Sequence, residues 1–256
     1  MPSRPVALVT GAARRIGRAI ALDLATHGHD VALHCHRPSD DSARTLAELR
    51  ALGARAELFA ADLADEAACR ALMPAVAEAF GRVDALVNNA SRFAYDDAAS
   101  FGHAEMEAHW RVNAAAPILL TRALHDQLCR READGCVVNL LDQKLDNPNP
   151  DYLSYTLSKA ALHSATVMLA QALAPRLRVC GVSPGVTLLS GEMSEADFAS
   201  AHRLTPLRRS STPQDIAHAV RYLIEASAVT GTTLLVDGGQ HLVAQPRDVA
   251  FLVKTP

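Results

Sequence analysis

The chain has 256 residues, 49% of them hydrophobic, with a formal net charge of −3. That is apolar material enough for a full core and too much for a disordered chain. With a pI near 6.4, nothing suggests nucleic acid or a membrane surface as a partner.

The start reaches the apolar run Val6–Val9 and then Thr10-Gly11 at once, so no signal peptide is expected, and no segment approaches the roughly 18 uncharged residues of a membrane span. Thr10-Gly11-Ala12-Ala13-Arg14-Arg15-Ile16-Gly17 then leads into a helical pattern over Arg18–His27. A buried strand, a tight turn and a helix N-terminus aiming amides at a phosphate open a dinucleotide-binding fold. The usual fingerprint has three glycines; here Gly11 and Gly17 remain and Arg15 takes the middle place. Alone, the segment also suits an ordinary turn before a helix.

The next strand, Val31–His34, ends in Cys35-His36-Arg37, with no carboxylate before Asp40. A carboxylate there holds the ribose 2′-hydroxyl of NAD, whereas the guanidinium forks of Arg37 and Arg14 match a phosphate. NADPH is therefore expected over NADH, against a rival reading of Arg37 as a solvated surface charge. His34, Cys35 and His36 as metal ligands are rejected, because a strand sends alternate side chains to opposite faces and no further ligands lie nearby.

Helix (40–53), strand (55–61), helix (65–80) and strand (83–87) alternate strictly, which predicts a parallel sheet covered by helices on both faces. Asp62-Leu63 falls at the carboxyl end of the third strand, where ligands lie in such sheets; Asp62 either contacts adenine or caps the next helix. Asn88-Asn89-Ala90-Ser91 ends the fourth strand with small and amide side chains that let backbone approach a cofactor. Phe93, in the loop beyond, either stacks on a planar ligand or covers the core.

A long helix is expected over 103–132, with Met106, Trp110, Pro117, Leu120, Leu124 and Leu128 along one stripe and Asn113 interrupting it. Pro117 lacks an amide hydrogen, so the carbonyl of Asn113 loses its helical partner. That leaves a polar niche fit for an ordered water, or a plain kinked core helix.

A fifth strand, Cys136–Leu141, brings Asp142 to the same rim. Asn147-Pro148-Asn149-Pro150 must be loop, and a helix from Asp151 carries Tyr155 and Lys159. Four apart on a helix, these two share a face, and an ammonium ion beside a phenol favours phenolate, so the expected phenol pKa is lowered and tuned for proton transfer. A sixth strand, Leu177–Val182, runs into Ser183-Pro184-Gly185-Val186-Thr187. Residues 188–211, with Ser190-Gly191-Glu192, lack a strong period and are read as a mobile lid over substrate. Thr212-Pro213-Gln214-Asp215 starts a helix, Thr232–Val236 makes the last strand, and 240–256 is a C-terminal tail that either caps a neighbour's site or hangs free. The expectation is one domain over 1–256: a Rossmann-type doubly wound parallel sheet of about seven strands. The five cysteines are odd in number and show no Cys-x-x-Cys spacing, so a reduced, cytoplasmic protein without a metal is expected.

Taken in order, Thr10-Gly11…Gly17, Asn88-Asn89-Ala90, Asn113, Tyr155…Lys159, Ser183-Pro184-Gly185 and Asp237-Gly238-Gly239 resemble the short-chain dehydrogenase/reductase family from about Val6 to Gly239. The resemblance implies Tyr155 as proton donor, Lys159 lowering its pKa and holding the nicotinamide ribose, and Asn113 anchoring a relay water. It also implies NADP(H) on the turn and rim: Gly11, Arg14, Arg15, Ile16, Gly17, His36, Arg37, Asp62, Leu63, Asn89, Ala90, Ser91, Pro184, Gly185 and Thr187. Most of that family carries a serine where this chain has Asp142. Asp142, with Arg15, His36-Arg37, Ser91 and Phe93, is similar to pteridine reductases and dihydromonapterin reductases. That subgroup implies a pterin between Phe93 and nicotinamide, Arg15 and Ser91 at its polar edge, and Asp142 working beside Tyr155; family resemblance also suggests a homotetramer. A carboxyl group beside a phenol can protonate a ring nitrogen that a serine hydroxyl cannot, and Asp142 is expected to have a raised pKa. The expected activity is NADPH-dependent reduction of a carbon–nitrogen double bond in a dihydropterin. The alternatives are a ketone or 3-oxoacyl reductase and a non-catalytic NADP(H)-binding regulator, which an intact Tyr155, Lys159 and Asn113 oppose.

Overall fold

The computed structural model describes residues 4–189 and 193–253. Its seven strands are β1 (Val6–Val9), β2 (Asp30–Cys35), β3 (Ala56–Ala60), β4 (Ala85–Asn88), β5 (Gly135–Leu140), β6 (Leu177–Pro184) and β7 (Thr233–Val236). They form one sheet in the order 3-2-1-4-5-6-7, every pairing parallel. Successive strand side chains point to opposite faces, so each strand feeds two cores. Ala7 and Val9 join one and Leu8 the other; Val87 joins the first and Leu86 the second.

Three helices cover the first face: α1 (Arg15–Thr26) through Ile20 and Leu24, α2 (Asp40–Ala51) through Leu49, and α8 (Pro213–Glu225) through Ile216, Val220 and Leu223. On the second face lie α3 (Glu66–Phe80), α5 (Ala116–Arg131) and α6 (Leu153–Ala172), burying Leu72 and Met73, Leu120 and Leu124, and Ala170. The chain leaves β1 toward β2 and β3, then returns to place β4 on the other side of β1. That reversal opens a crevice outside the carboxyl ends of β1 and β4. No helix among the described residues is long and apolar enough to cross a membrane.

Three expectations change. The helix over 103–132 is in two pieces, α4 (His103–Trp110) and α5, joined by a π turn over Arg111–Ala115. There Ala116 N donates to the Arg111 carbonyl, five residues back. One extra residue per turn rotates everything upstream by a position. Trp110 is consequently 41% exposed and His109 is fully buried in its stead. The segment 188–211 contains α7 (Glu195–Arg203), opened by a capping box between Ser194 and Asp197; Ser190-Gly191-Glu192 lies outside the described residues. The tail does not hang free. After a 3₁₀ turn at Gln240–Leu242 it folds back as a short helix, α9 (Val249–Leu252), against the chain's own rim.

Candidate active site

A trough of about 1030 Å³ runs along the crevice, lined by Gly11, Arg14, Arg15, Ile16, Gly17, His36, Asp62, Leu63, Asn89, Ala90 and Ser91. Its floor requires glycine at two points. Gly11 has φ +64, and a Cβ on Gly17 would lie 2.4 Å from the Gly11 carbonyl oxygen and 2.5 Å from Asn89 Nδ2. Asn89 itself clamps the turn, donating to the Thr10 and Gly11 carbonyls at 2.9 and 3.2 Å. Arg15 keeps the backbone of the glycine it replaces, with φ +56. Helices α2, α3, α7 and α8 are capped by Ser39, Asp65, Ser194 and Thr212. No side chain caps α1 at Arg14, so its first-turn amides are left for an anion. These features fit a dinucleotide.

Arg37 is exposed and stands outside the trough lining, while Arg14, Arg92 and His36 are on it. His36 Nδ1 faces Asp62 Oδ1 at 3.6 Å. Asp62 accepts from Ala64 N in a local turn, and the cap of α3 falls to Asp65 instead, so the capping reading of Asp62 gives way to a trough position.

Beyond Arg15, Asn89, Ser91 and Phe93, which line both, an inner pocket of about 240 Å³ opens. Its walls include Asp142, Tyr155, Lys159, Pro184, Gly185 and Thr187. Tyr155 Oη donates to Asp142 Oδ2 at 2.8 Å, and the backbone amide of Lys144 donates to Asp142 Oδ1 at 2.9 Å. Burial raises the Asp142 carboxyl above its ordinary range, as expected, outweighing these hydrogen bonds and Lys159. The expected lowering of the phenol is not found. Burial first, and the Asp142 charge second, push Tyr155 well above its usual value. Lys159 Nζ lies 5.8 Å from the Tyr155 ring centre and donates to the Leu140 carbonyl at 2.7 Å. Burial lowers it to about 8. In the chain alone, Tyr155 thus keeps its proton and donates it in the hydrogen bond to Asp142.

Phe93 is 49% exposed at the pocket mouth, stacked on Tyr152 at 4.3 Å and edge-on to Tyr155 at 4.7 Å. Asn113 spends its whole side chain on structure. It donates to the Arg92 carbonyl and Ser158 Oγ and accepts from Arg92 N and Ser91 Oγ. It positions the Ser91–Phe93 loop against the Tyr155 helix.

A family model described as enoyl-(acyl carrier protein) reductase matches residues 11–241. The chain belongs to the short-chain dehydrogenase/reductase family. It is an NAD(P)-dependent oxidoreductase of that family. The crystal structure of FolM alternative dihydrofolate reductase 1 from Brucella canis, complexed with NADP, is similar, with TM-score 0.90 and 39% identity over 97% of this chain and 98% of that one. Pteridine reductase 1 of Leishmania tarentolae is 34% identical over 282 residues, 94% of this chain and 98% of its own. The 3-oxoacyl-[acyl-carrier-protein] reductase FabG of Staphylococcus aureus is 30% identical over 241 residues, 92% of this chain and 98% of its own.

Several side chains that complete this short-chain dehydrogenase/reductase site gave no signal in the sequence. Asp96, buried in the loop after Phe93, accepts from Ser154 N at 2.9 Å and from Ser154 Oγ, so it caps the helix that carries Tyr155. Lys144 is buried; its ammonium donates to the Asp151 carbonyl, faces Asp248 Oδ2 at 3.4 Å and lies 5.3 Å from the Tyr152 ring centre. Gln245, Asp248, Val249 and Ala250 from the C-terminal segment wall the pocket. Arg247 and the Asp248 amide bind the Asp151 carboxylate at 2.8 and 2.7 Å.

Proposed function

We propose that the protein reduces a carbon–nitrogen double bond of a dihydropterin with NADPH. The observation that carries this reading is the hydrogen bond between Tyr155 and Asp142 inside the pocket. A ketone reductase needs one proton donor for one oxygen. A ring nitrogen is better served by a carboxyl group whose proton affinity burial has raised. Bound NADPH supplies the hydride. The chain's own groups do the rest: α1 and the Gly11–Gly17 turn with Arg14 and His36 hold the phosphates and ribose, and Pro184, Gly185 and Thr187 wall the nicotinamide end. Phe93 covers the flat ring, Arg15 and Ser91 meet its polar edge, and Lys159 keeps positive charge beside the proton-transfer pair. Asp142 passes a proton through or beside Tyr155 to the ring nitrogen, so the C=N bond becomes CH–NH.

The reading also includes a reduced, cytoplasmic setting, supported by five free cysteines. It includes a homotetramer, supported by the exposed Leu157, Val167 and Met168 on α6. The test is NADPH oxidation with dihydropterins, dihydrofolate and a panel of ketones including a 3-oxoacyl thioester. Dihydropterin turnover is expected. Ketone turnover without it would overturn the proposal and favour the carbonyl reductase that the S. aureus relative exemplifies.

A further inference from the structure

His34 is a buried imidazole that the chemistry above leaves unused, and it borders the dinucleotide trough. It sits on β2, between the turn leaving β1 and the exit of β3. Its Nδ1 accepts from the Gly11 amide at 3.2 Å, and its Nε2 lies 3.1 Å from the Ala61 carbonyl oxygen. A nitrogen that accepts carries no hydrogen, so Nε2 bears the proton and donates to Ala61. The main-chain carbonyl of the same residue accepts from the Ala12 amide at 2.9 Å. One residue thus holds two consecutive amides of the phosphate turn. The turn has little slack on its other side, where a Cβ on Gly11 would lie 3.0 Å from Ala90 Cα.

We propose that His34 is a positioning residue for the dinucleotide, its neutral imidazole bracing Gly11 against the exit of β3 so that the first-turn amides of α1 point into the trough. An imidazolium puts an N–H at Nδ1 directly against the Gly11 N–H. Two donors then face each other, the brace opens, and the turn loses its aim. The titratable and charged groups around the ring are His36, just past the end of β2, Asp62 at the β3 exit, which faces His36, and Arg14 and Arg15 on the turn. Burial of the ring resists its protonation, so the brace holds through neutral pH and opens in acid.

The test compares the full chain with two variants by calorimetric titration of NADPH from about pH 5 to about pH 8, the interval in which histidine changes charge. His34→Gln offers an acceptor and a donor but does not titrate; His34→Leu offers neither. Leu is expected to weaken NADPH binding about tenfold at about pH 8, the worth of one buried hydrogen bond, and by less in acid, where the wild-type brace itself opens. Gln is expected to restore affinity at about pH 8, and the ratio of wild-type to Gln affinity to fall in acid, again by about tenfold. The ratio cancels the titration of the cofactor phosphate, which both proteins meet alike. A constant ratio across pH would overturn the proposal, as would a folded Leu variant that binds as wild type does. If the Leu variant does not fold, nitrogen NMR of the cofactor-free wild-type chain still tests the brace. A proton on Nδ1 at neutral pH overturns it; a proton on Nε2 alone at neutral pH, joined by one on Nδ1 in acid, supports it.

Discussion

Asp142 is where the chain departs most from a ketone reductase, and its replacement by asparagine tests two separate consequences. The amide keeps the size and loses the proton, so kcat for dihydropterin reduction is expected to fall by about 10²-fold or more, the usual range for a lost general acid. NADPH affinity by calorimetry should stay near wild type. The second consequence concerns stability. The folded carboxyl has a raised pKa, so between about 3.9, the unfolded value, and that raised value the folded chain holds the extra proton. Stability contributed by the neutral group is then present at low pH and lost as pH rises. Asp142→Asn does not titrate, so urea unfolding should show its stability gaining on wild type as pH rises above about 4; a constant difference would mean the carboxyl is not perturbed. Tyr155, Lys159 and Asp142 were legible in the sequence because helical spacing and strand ends place them without long-range knowledge. Asp96 and Lys144 were not, since their partners Ser154 and Asp248 lie 58 and 104 residues away and neither makes a local pattern.

Among the elements, the ones that periodicity reveals were read within a few residues, and the errors have local causes. Pro117 announced a break in the long helix, but not that the break would take the form of an inserted residue, which turned Trp110 outward and His109 inward. Helix α7 is short and its cap, Ser194-x-x-Asp197, was a readable signal overlooked among polar residues. The segment carrying α7 is pinned back at Gly238, where Leu207 N donates to the Gly238 carbonyl. Gly238 has φ +66, and a Cβ there would lie 1.9 Å from the Arg209 carbonyl oxygen. Gly238→Ala is therefore expected to cost about 1–3 kcal/mol, the range for a residue forced into a disfavoured backbone region, and to raise KM for the pterin more than KM for NADPH. Thermal unfolding and steady-state kinetics check both halves; an equal rise in the two KM values would mean the segment does not serve the substrate side.

At the scale of the whole molecule, strict alternation of strands and helices specified the parallel sheet, and the switch between β1 and β4 located the trough. What no local pattern carried was the path of the last residues. Composition alone gave 240–256 no reason to fold inward; among the described residues, the pairs Arg247–Asp151 and Lys144–Asp248, with Phe251 against Tyr95 at 5.5 Å, hold the segment there. Arg247→Ala should raise the pterin KM several-fold and leave NADPH binding unchanged; loss of NADPH affinity would show instead that the sheet had been disturbed. The same ion pair has a consequence in time. The carboxylate just ahead of the helix bearing the proton donor finds its partners 96 and 97 residues later. During synthesis β1 to β4, whose carboxyl ends border the trough, are complete long before those partners leave the ribosome. A nascent chain at that stage holds the strands that border the reductant's trough and still lacks the segment that walls the pocket beside Tyr155.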